Sequence, residues 1–356
     1  ASETVSTLGG NVAMNAGGPH CLKYGVTVNH VLGLRVVMAD GQLLDIGGKS
    51  ARWQSADFAG LITGSEGTLG IITEVLLRIL PLSESVTTVL AVFEDVEQAS
   101  QAASDIIAAG MIPAALELMD RPLIQAVQRS LEAGYPQDAG AVLIIEVDGL
   151  EATAHRELNE IQNLCRMNEV IRFDWARDEE TRELLWRGRK GTTGAVAHIA
   201  PSKLCSDITV PRHALPLAIN EIIRIGERHL VPVGSLAHAG DGNLHPQLMF
   251  DPRDREQVKR VLAADDEVTQ LAMDLGGVLT GEHGIGDQKR KWMTRMFAPA
   301  ELRLMHQLKD LLDPLGTLNP GKVLPDEAGK HHPPEPNLPP GDLEGLGPVI
   351  NAKFSK

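Results

Sequence analysis

The stretch AHAGDGNLHP, residues 237–246, places two histidines on either side of a cluster of glycine and polar residues. Apolar runs flank the cluster, and this arrangement predicts two strands joined by a tight reversal. His238 precedes the turn and His245 follows it, and residues on paired strands can project to one face of a sheet. The two imidazoles would then converge on a divalent metal, with Asp241 and Asn243 beside them. The alternative is that both histidines merely cap the turn.

A second cluster, GGVLTGEHGIG at residues 276–286, carries an acid and another histidine between glycines. Glu282 would complete a site of two histidines and one glutamate, which leaves coordination positions for a substrate. Zinc is the first choice for this donor set, and manganese or iron also suit it. His283 would act as a general base. Taken alone, the segment also fits a helix N-terminus with Glu282 as an acid in its first turn.

The segments around these clusters alternate between strands and helices. Apolar runs predict strands at residues 86–93, 115–118, 142–147, 207–210, 232–238 and 244–249. Helical spacing of apolar residues predicts helices at residues 96–109, 122–133, 151–168, 179–196, 212–229, 253–275 and 300–312. The alternation indicates an α+β domain on its own sheet, and no internal repeat is evident.

Glycines punctuate the first 80 residues, in TLGGNVAMNAGG at residues 7–18 and TGSEGTLGIIT at residues 63–73. Backbone N–H groups approach a pyrophosphate closely only where side chains are absent, so both stretches are predicted to be loops around a dinucleotide. No G-x-G-x-x-G lies between a strand and a helix, which argues against a Rossmann site for NAD. Either glycine stretch alone could also be a turn between strands.

Composition excludes several classes of protein. The 356 residues carry a net charge of −14 and only 3% aromatic residues, which suits neither duplex nor single-stranded nucleic acid. No window of about 18 uninterrupted apolar residues exists, so no transmembrane helix is predicted. The three cysteines, Cys21, Cys165 and Cys205, form no C-x-x-C pair and indicate a reducing compartment.

These motifs, in this order, resemble the FAD-linked 2-hydroxy-acid oxidases and dehydrogenases, flavoproteins of the vanillyl-alcohol-oxidase type. Within that family, the FAD-linked subunits of glycolate oxidase are most similar. The resemblance rests on the histidine and glutamate clusters, on both glycine stretches, and on three shorter motifs, which are HCLKYG at 20–25, AGYP at 133–136 and NPGK at 319–322.

The resemblance implies an α+β fold with two parts, a partial FAD-binding domain of the vanillyl-alcohol-oxidase type and a ferredoxin-like α+β substrate or cap domain. We expect the C-terminal part of the FAD domain at residues 1–82 and the substrate domain, with the metal site, at residues 83–299. A helix and the NPGK segment at residues 300–324 would return to the flavin, and a flexible Pro- and Gly-rich tail would occupy residues 325–356. Since relatives carry further chain before this start, we expect the first part of the FAD domain to be missing.

The resemblance also assigns residues to FAD and to the substrate. Those assigned to FAD are Gly9, Gly10, Asn11, Asn15, Gly17, Gly18, Gly64, Glu66, Gly67, Gly70, Ile71 and Asn319.

Arg189 and Thr193 are assigned to the substrate carboxylate, which arginine can bind with two N–H groups. Their i, i+4 spacing puts both on one helix face. Arg187 and Lys190 leave the choice of arginine open, and a solvated basic face is the alternative. Some relatives place a lysine where Cys205 stands, and Lys203 lies nearby.

The implied reaction oxidises a small D-2-hydroxy acid, glycolate or D-lactate, to the 2-oxo acid. A hydride would pass to FAD, His283 would take the hydroxyl proton, and the metal would act as a Lewis acid. The alternatives are a metal-dependent hydrolase and a non-catalytic subunit without FAD.

An electron-accepting partner is also implied, and an iron–sulfur subunit is one candidate because three scattered cysteines cannot hold a cluster. The expected location is the cytoplasm, or the inner membrane surface through partner subunits.

Overall fold

The computed structural model describes residues 5–48 and 56–326. Apart from its first two residues, the expected tail at 325–356 lies outside this part of the chain. The strands are β1 Val31–Val37, β2 Leu43–Gly47, β3 Ile71–Leu77, β4 Ser85–Phe93, β5 Ala115–Asp120, β6 Ala141–Gly149, β7 Arg172–Trp175, β8 Ser202–Cys205, β9 Ile208–Thr209, β10 Val233–His238 and β11 Asn243–Phe250. The α-helices are α1 Leu8–Met14, α2 Cys21–Tyr24, α3 Phe58–Ile62, α4 Val96–Ala108, α5 Arg121–Leu131, α6 Glu151–Met167, α7 Glu179–Ala195, α8 Leu215–His229, α9 Arg255–Asp274, α10 Met293–Met296 and α11 Pro299–Leu312.

The described residues divide into two compact units. The first contains residues 5–6, 17–29 and 79–282. The second contains residues 7–16, 30–48, 56–78 and 283–326. Each unit therefore draws on several separate stretches of the sequence.

The first unit is built on an antiparallel sheet in the order β7-β4-β6-β5-β10-β11-β8, with β9 also paired to β11. Strands β4, β5, β6 and β7, with α4 and α6, follow the βαββαβ connection of a ferredoxin-like fold. The helix α5 is inserted between β5 and β6. The ferredoxin-like order in this part of the chain agrees with the fold that the resemblance implied.

The other half of the sheet repeats the same topology. Strands β8 and β9 are followed by α8, β10, β11 and α9, and the chain then returns to bridge Val278 to Thr209. The two halves join through β5 and β10, where Glu117 pairs with His238. The sequence shows no repeat because the two halves share connectivity rather than residues.

Helices cover both faces of this sheet. Contacts link α4, α6, α8 and α9 into one layer, while α5 and α7 pack together on the opposite face. Aspartates cap four of these helices, since Asp95, Asp120, Asp178 and Asp254 each accept a hydrogen bond from a backbone N–H in the first turn. The core beneath α5 and α7 includes Met119 of β5 and Leu236 of β10. Side chains two residues away along each strand point to the same face, towards α5 and α7.

The second unit contains a three-stranded antiparallel sheet in the order β2-β1-β3. Its core combines β1 with α1 and α3, and includes Val12, Leu34, Val36 and Ile62. The interpretation of residues 9–18 as one continuous glycine loop is wrong at its start, because Leu8–Met14 is a helix. The Thr7 side chain caps it by accepting from Gly10 N at 3.0 Å, which outweighs the poor helix propensity of two glycines.

Among the residues that the structure describes, no helix is both long and apolar enough to cross a membrane.

Candidate active site

Three predicted metal ligands come together in the first unit. Glu282 Oε1 lies 3.3 Å from His238 Nε2 and 3.0 Å from His245 Nε2. Ligands of a tetrahedral zinc ion, each about 2.1 Å from the metal, lie about 3.4 Å from one another. The two histidines are 7% and 4% exposed, and their ring centroids are 5.1 Å apart. The spacing and chemistry of these donors therefore fit a divalent cation.

The hairpin β10–β11 explains why the two histidines meet. His238 pairs with Asn243 and His245 pairs with Leu236, so the histidines are diagonal neighbours on one face. The four residues between the strands include Gly242, whose φ of +81° favours glycine. A Cβ atom on Gly242 would lie 2.2 Å from Val210 O. The turn thus depends on glycine both for its backbone angle and for space.

A buried glutamate orients His238. Glu117 on β5 is 1% exposed, and its Oε1 lies 2.6 Å from His238 Nδ1. This contact directs the opposite nitrogen, Nε2, towards Glu282. The second oxygen of Glu117 lies 2.5 Å from Arg189 Nη2 on α7. One carboxylate therefore contacts a predicted metal ligand and a predicted substrate ligand.

A second buried acid, Asp207, holds the segment that carries Glu282. Its Oδ2 accepts hydrogen bonds from Gly281 N at 2.8 Å and Glu282 N at 3.1 Å, and from the Thr280 hydroxyl. Its Oδ1 accepts from Asn243 Nδ2 at 2.7 Å. Asp207 thus ties the hairpin to the glutamate segment. Asp241 instead accepts from Asn243 N at 3.1 Å and closes the turn itself.

Two glycines allow close packing around Glu282. A Cβ atom on Gly281 would lie 2.1 Å from Asn243 Nδ2. A Cβ atom on Gly17 would lie 3.1 Å from Glu282 Oε2 and equally close to Cys21 Sγ. Gly17 was predicted to contact FAD, and in this unit it lies beside a predicted metal ligand.

The electrostatics of the cluster favour positive charge. Burial opposes protonation of His238, but Glu117 and Glu282 outweigh it and raise its pKa to about 9. Burial likewise opposes protonation of His245, whose pKa rises to about 10 through hydrogen bonds with Cys205 and Glu282. Burial also opposes ionisation of Glu117, yet Arg189 and His238 lower its pKa to about 2. The carboxylates that stabilise these imidazolium charges would stabilise a bound cation in their place.

Burial distinguishes the basic residues on α7. Arg189 is 8% exposed, whereas Arg187 and Lys190 are exposed to solvent. Although Arg189 is buried, its Nε atom has no hydrogen-bond partner among the described residues. A buried donor without a partner is costly, and an incoming carboxylate would satisfy it. Thr193 is exposed on the same helix, and its predicted contact with the substrate stays a prediction.

Cys205 lies on β8 opposite Gln247 of β11. Gln247 Nε2 donates to Cys205 Sγ at 3.0 Å, and Cys205 also contacts His245. Lys203, two residues earlier on the same strand, is partly exposed. Of the two, Cys205 is therefore the one in contact with a predicted metal ligand.

The second unit brings together several residues that were assigned to FAD. Val12 O accepts from Gly64 N at 2.9 Å, and Ala13 O accepts from Glu66 N at 2.8 Å, so the two glycine segments are adjacent. Asn319 Nδ2 donates to Glu66 O at 2.5 Å. Glu66 and Asn15 both adopt left-handed backbone angles, with φ of +53° and +48°. The rest of the assigned set in this unit comprises Gly9, Gly10, Asn11, Gly67, Gly70 and Ile71.

The structure divides the other assigned residues between the units. Gly17 and Gly18 belong to the first unit, whereas His283 belongs to the second, although it directly follows Glu282 in the chain. His283 is exposed. Its predicted role as a base stays a prediction.

Comparison with known protein families matches most of this chain. Residues 82–323 match the family model described as "FAD linked oxidases, C-terminal domain". The chain belongs to the FAD-linked oxidase family. Residues 1–47 match a second model, described as an FAD binding domain, which supports FAD as the cofactor of this oxidase.

Relatives of this oxidase include the glycolate oxidase subunit GlcD of Escherichia coli strain K12. The two are 39% identical over 348 residues, which cover 96% of this chain and 70% of that subunit. The GlcD subunit of Bacillus subtilis strain 168 is 38% identical, with 92% and 70% covered. A probable mitochondrial D-lactate dehydrogenase of Danio rerio is 34% identical, with 90% and 65% covered.

Solved structures support the predicted fold of the oxidase. A p-cresol methylhydroxylase with bound substrate has a TM-score of 0.71 at 14% identity, covering 90% of this chain and 70% of that one. The 4-ethylphenol oxidase of Gulosibacter chungangensis has a TM-score of 0.68 at 17% identity, covering 90% and 71%. At these identities the likeness concerns the fold alone, and it confirms the vanillyl-alcohol-oxidase type and the α+β class.

Sequence reasoning missed Glu117 and Asp207 as parts of this site. Glu117 is an acid in the middle of the apolar run AALELM, residues 114–119. A charged residue in a buried strand needs a partner, and that was the available signal. Its partners lie 121 and 72 positions further along the chain, at His238 and Arg189, so local spacing could not identify them.

Proposed function

We propose that this oxidase catalyses the FAD-dependent oxidation of a small D-2-hydroxy acid to the corresponding 2-oxo acid, with the help of a divalent metal. The observation that carries the proposal is the three-donor cluster of His238, His245 and Glu282, connected through buried Glu117 to Arg189. A 2-hydroxy acid offers two groups to such a site. Its hydroxyl suits a metal, and its carboxylate suits an arginine.

His238, His245 and Glu282 would hold the metal. All three donor atoms lie within 4.8 Å of one another, and two nitrogens with one carboxylate oxygen are a donor set that zinc accepts. Manganese and iron also accept such donors. When bound, a divalent cation at this site supplies Lewis acidity that lowers the pKa of a substrate hydroxyl.

Arg189 would bind the substrate carboxylate. Its Nη2 is engaged by Glu117, which leaves the buried Nε donor for a ligand. The arginine is 8% exposed, so an ion pair formed there would be largely shielded from water. The local positive charge of Arg189 would also attract an anionic substrate despite the net charge of −14 of the whole chain.

Oxidation of a 2-hydroxy acid removes two electrons and two hydrogens from one carbon–oxygen unit. His283 would take the hydroxyl proton, since a histidine is suited to proton transfer near neutral pH. FAD, when bound, supplies the acceptor for the α-hydrogen and its electron pair. The residues proposed to contact FAD include Glu66 and Asn319, which are hydrogen-bonded to each other in the second unit.

Glycolate and D-lactate are the two candidate substrates. Relatives named as glycolate oxidase subunits are 38–39% identical to this chain over the aligned residues, and one named as a probable D-lactate dehydrogenase is 34% identical. The hydrolase alternative accounts for the metal ligands only. It leaves unexplained the match of residues 1–47 to an FAD binding domain.

The proposed oxidation needs a final acceptor for the two electrons that leave the substrate. The three cysteines of this chain are too few for an iron–sulfur cluster, which four cysteines usually hold. We therefore propose a separate electron acceptor, with an iron–sulfur subunit as one candidate.

The proposal is tested by product analysis. The purified chain, loaded with FAD and zinc, is supplied with an artificial electron acceptor and with glycolate, D-lactate or L-lactate in turn. Formation of the 2-oxo acid from glycolate or D-lactate, in preference to L-lactate, is the expected result. Absence of product from all three acids in a protein that retains FAD would contradict the proposal.

A further inference from the structure

Glu117 makes two ionic contacts in opposite directions. It lies opposite His238 in the register of β5 and β10, and its Oε1 is 2.6 Å from His238 Nδ1. Its Oε2 is 2.5 Å from Arg189 Nη2 on α7. The Glu117 side chain is fully buried, and those of His238 and Arg189 are 8% and 9% exposed. This carboxylate thus links a sheet residue to a helix residue with almost no access to water.

Each partner of Glu117 has a further nitrogen that Glu117 does not contact. The other nitrogen of His238, Nε2, lies 3.3 Å from Glu282 Oε1. Arg189 keeps its buried Nε, which has no hydrogen-bond partner in the described part of the chain. Both of these nitrogens belong to side chains with a proposed binding role. His238 would bind the metal, and Arg189 would bind the substrate carboxylate.

We infer that Glu117 is a positioning residue that sets the metal ligand His238 and the substrate ligand Arg189 at once, so that metal affinity and substrate affinity depend on the same carboxylate. The inference rests on the proposed function. Glu117 contacts neither metal nor substrate in this account and acts only through its two partners. Both of its oxygens are needed, because Oε1 forms the hydrogen bond with His238 and Oε2 forms the ion pair with Arg189.

The substitution Glu117→Gln tests whether the site needs the two carboxylate oxygens of Glu117 or only the volume of its side chain. Glutamine has the same shape, but one of its two terminal groups is an NH2 donor. It can accept from His238 or from Arg189, and it leaves the other donor facing a donor. Loss of a partner that orients a metal ligand typically reduces metal affinity ~10–100-fold. Misplacement of the arginine should raise KM for the 2-hydroxy acid on the order of tenfold to a hundredfold.

Asp120→Asn provides a matched control. Asp120 lies on the same strand, is 4% exposed and also contacts β10, where its Oδ2 accepts from Ser235 N at 2.5 Å. In the described part of the chain its carboxylate accepts from Leu123 N and Ser235 N, and neither of these belongs to the site. Both variants therefore remove a buried carboxylate from β5, but only one removes it from the site.

The experiment measures zinc affinity by competition with a chromophoric chelator, and KM and kcat on the FAD-loaded enzyme. Glu117→Gln should lower zinc affinity and raise KM together, while Asp120→Asn leaves both within about twofold of the wild type, as expected for a residue outside the site. If Glu117→Gln does not fold, Glu117→Asp takes its place. It keeps the charge but is one methylene shorter, so it cannot reach both partners, and the same joint loss is expected.

Any of three results would overturn the inference. The first is a change in only one of the two affinities, the second is an equal loss in the Asp120→Asn control, and the third is a Glu117 variant with both affinities unchanged. A wild-type chain that binds zinc and oxidises the acid, alongside a Glu117 variant that does the same equally well, would reject this inference alone. A wild-type chain that binds no zinc would reject the metal part of the proposed function as well.

Discussion

Asp207 fixes the position of Glu282 through the backbone. Its Oδ2 accepts from Glu282 N at 3.1 Å and from the preceding N–H, of Gly281, at 2.8 Å. A buried carboxylate that accepts backbone N–H groups holds a segment without occupying its side chains. The Glu282 carboxylate therefore remains available to His238 and His245.

The first prediction concerns Asp207→Asn. Asp207 Oδ2 accepts hydrogen bonds from the 280–282 segment, and Oδ1 accepts one from Asn243 Nδ2. Whichever oxygen the NH2 group of asparagine replaces, it would face a hydrogen-bond donor. Zinc affinity should fall ~10–100-fold, measured by chelator competition. Asp251 lies beyond the end of β11 and forms an ion pair with the exposed Arg253, so Asp251→Asn is the control and should bind zinc like the wild type. Equal affinities in both variants would contradict this role of Asp207.

The second prediction concerns the space beside Gly281. In Gly281→Ala the new Cβ would lie 2.1 Å from Asn243 Nδ2 and 2.7 Å from Thr209 Oγ1, so the segment must shift. Such overpacking should lower the free energy of unfolding by ~1–3 kcal/mol, measured in urea. In Gly194→Ala, within α7, the Cβ meets nothing within 4 Å. That variant should gain ~0.5–1 kcal/mol from better helix propensity. A Gly281→Ala variant as stable as the wild type would show that the segment is not closely packed.

The third prediction concerns pH and Asp313 in the second unit. Burial opposes ionisation of Asp313, but Lys309 Nζ at 2.5 Å and the N–H groups of Leu318 and Thr317 lower its pKa to about 2. An acid whose pKa is lower in the folded state stabilises the fold above its unfolded pKa, near 4. That stability is lost as the pH falls from about 4 through about 2.

This shift corresponds to roughly 2–3 kcal/mol in the free energy of unfolding at neutral pH. Asp313→Asn should lose stability of that order at pH 7 and show a weaker dependence on pH in the acid range. Urea unfolding curves at several pH values provide the measurement. If wild type and variant lose stability in parallel below pH 4, Asp313 is not the source of the acid sensitivity.

The fourth prediction concerns Glu66. Its two carboxylate oxygens accept from Ile285 N at 2.6 Å and Gly286 N at 2.9 Å. Glu66→Gln leaves one acceptor and one donor, so one of the two N–H groups should lose its bond at a cost of ~1–3 kcal/mol. Hydrogen exchange at Ile285 and Gly286 should accelerate. Glu74→Gln, which removes an exposed partner of Arg35 in the same unit, should leave these two amides unchanged. Unchanged exchange in Glu66→Gln would remove its assigned role in holding this segment.

The sequence was sufficient for the parts of the site that depend on short spacing. His238 and His245 lie seven positions apart across a turn, and pairing across a hairpin makes such residues neighbours. Burial is what distinguishes Arg189 from Arg187 and Lys190, and it depends on how α7 packs. Glu117 and Asp207 can be assigned to the site only from tertiary contacts, because their partners lie far away in the sequence.

Local structure was less predictable where glycine or edge strands were involved. The glycines in Leu8–Met14 suggested a loop, yet a threonine cap and burial of Val12 favour a helix. The strands β7 and β8 lie at the two ends of the sheet and have only four residues each, RFDW and SKLC, which is too short a run for periodicity to indicate a strand. The repeated topology of the two sheet halves leaves no trace in residue identity and emerges only from strand order.

We propose that a metal bound by His238, His245 and Glu282 supports the oxidation of a 2-hydroxy acid by FAD. The most direct measurement is the rate of flavin bleaching when the FAD-loaded protein is mixed with D-lactate or glycolate without oxygen. The protein is compared as purified, after removal of metal by a chelator, and after zinc, manganese or iron is returned, with Glu282→Gln as a variant that should not recover. We expect fast bleaching with metal, a rate at least about tenfold lower without it, and recovery of the rate in the wild type only. Bleaching at the same rate in metal-free protein and in Glu282→Gln would contradict this proposal and would leave the cluster as an ion pair of two histidines and a glutamate.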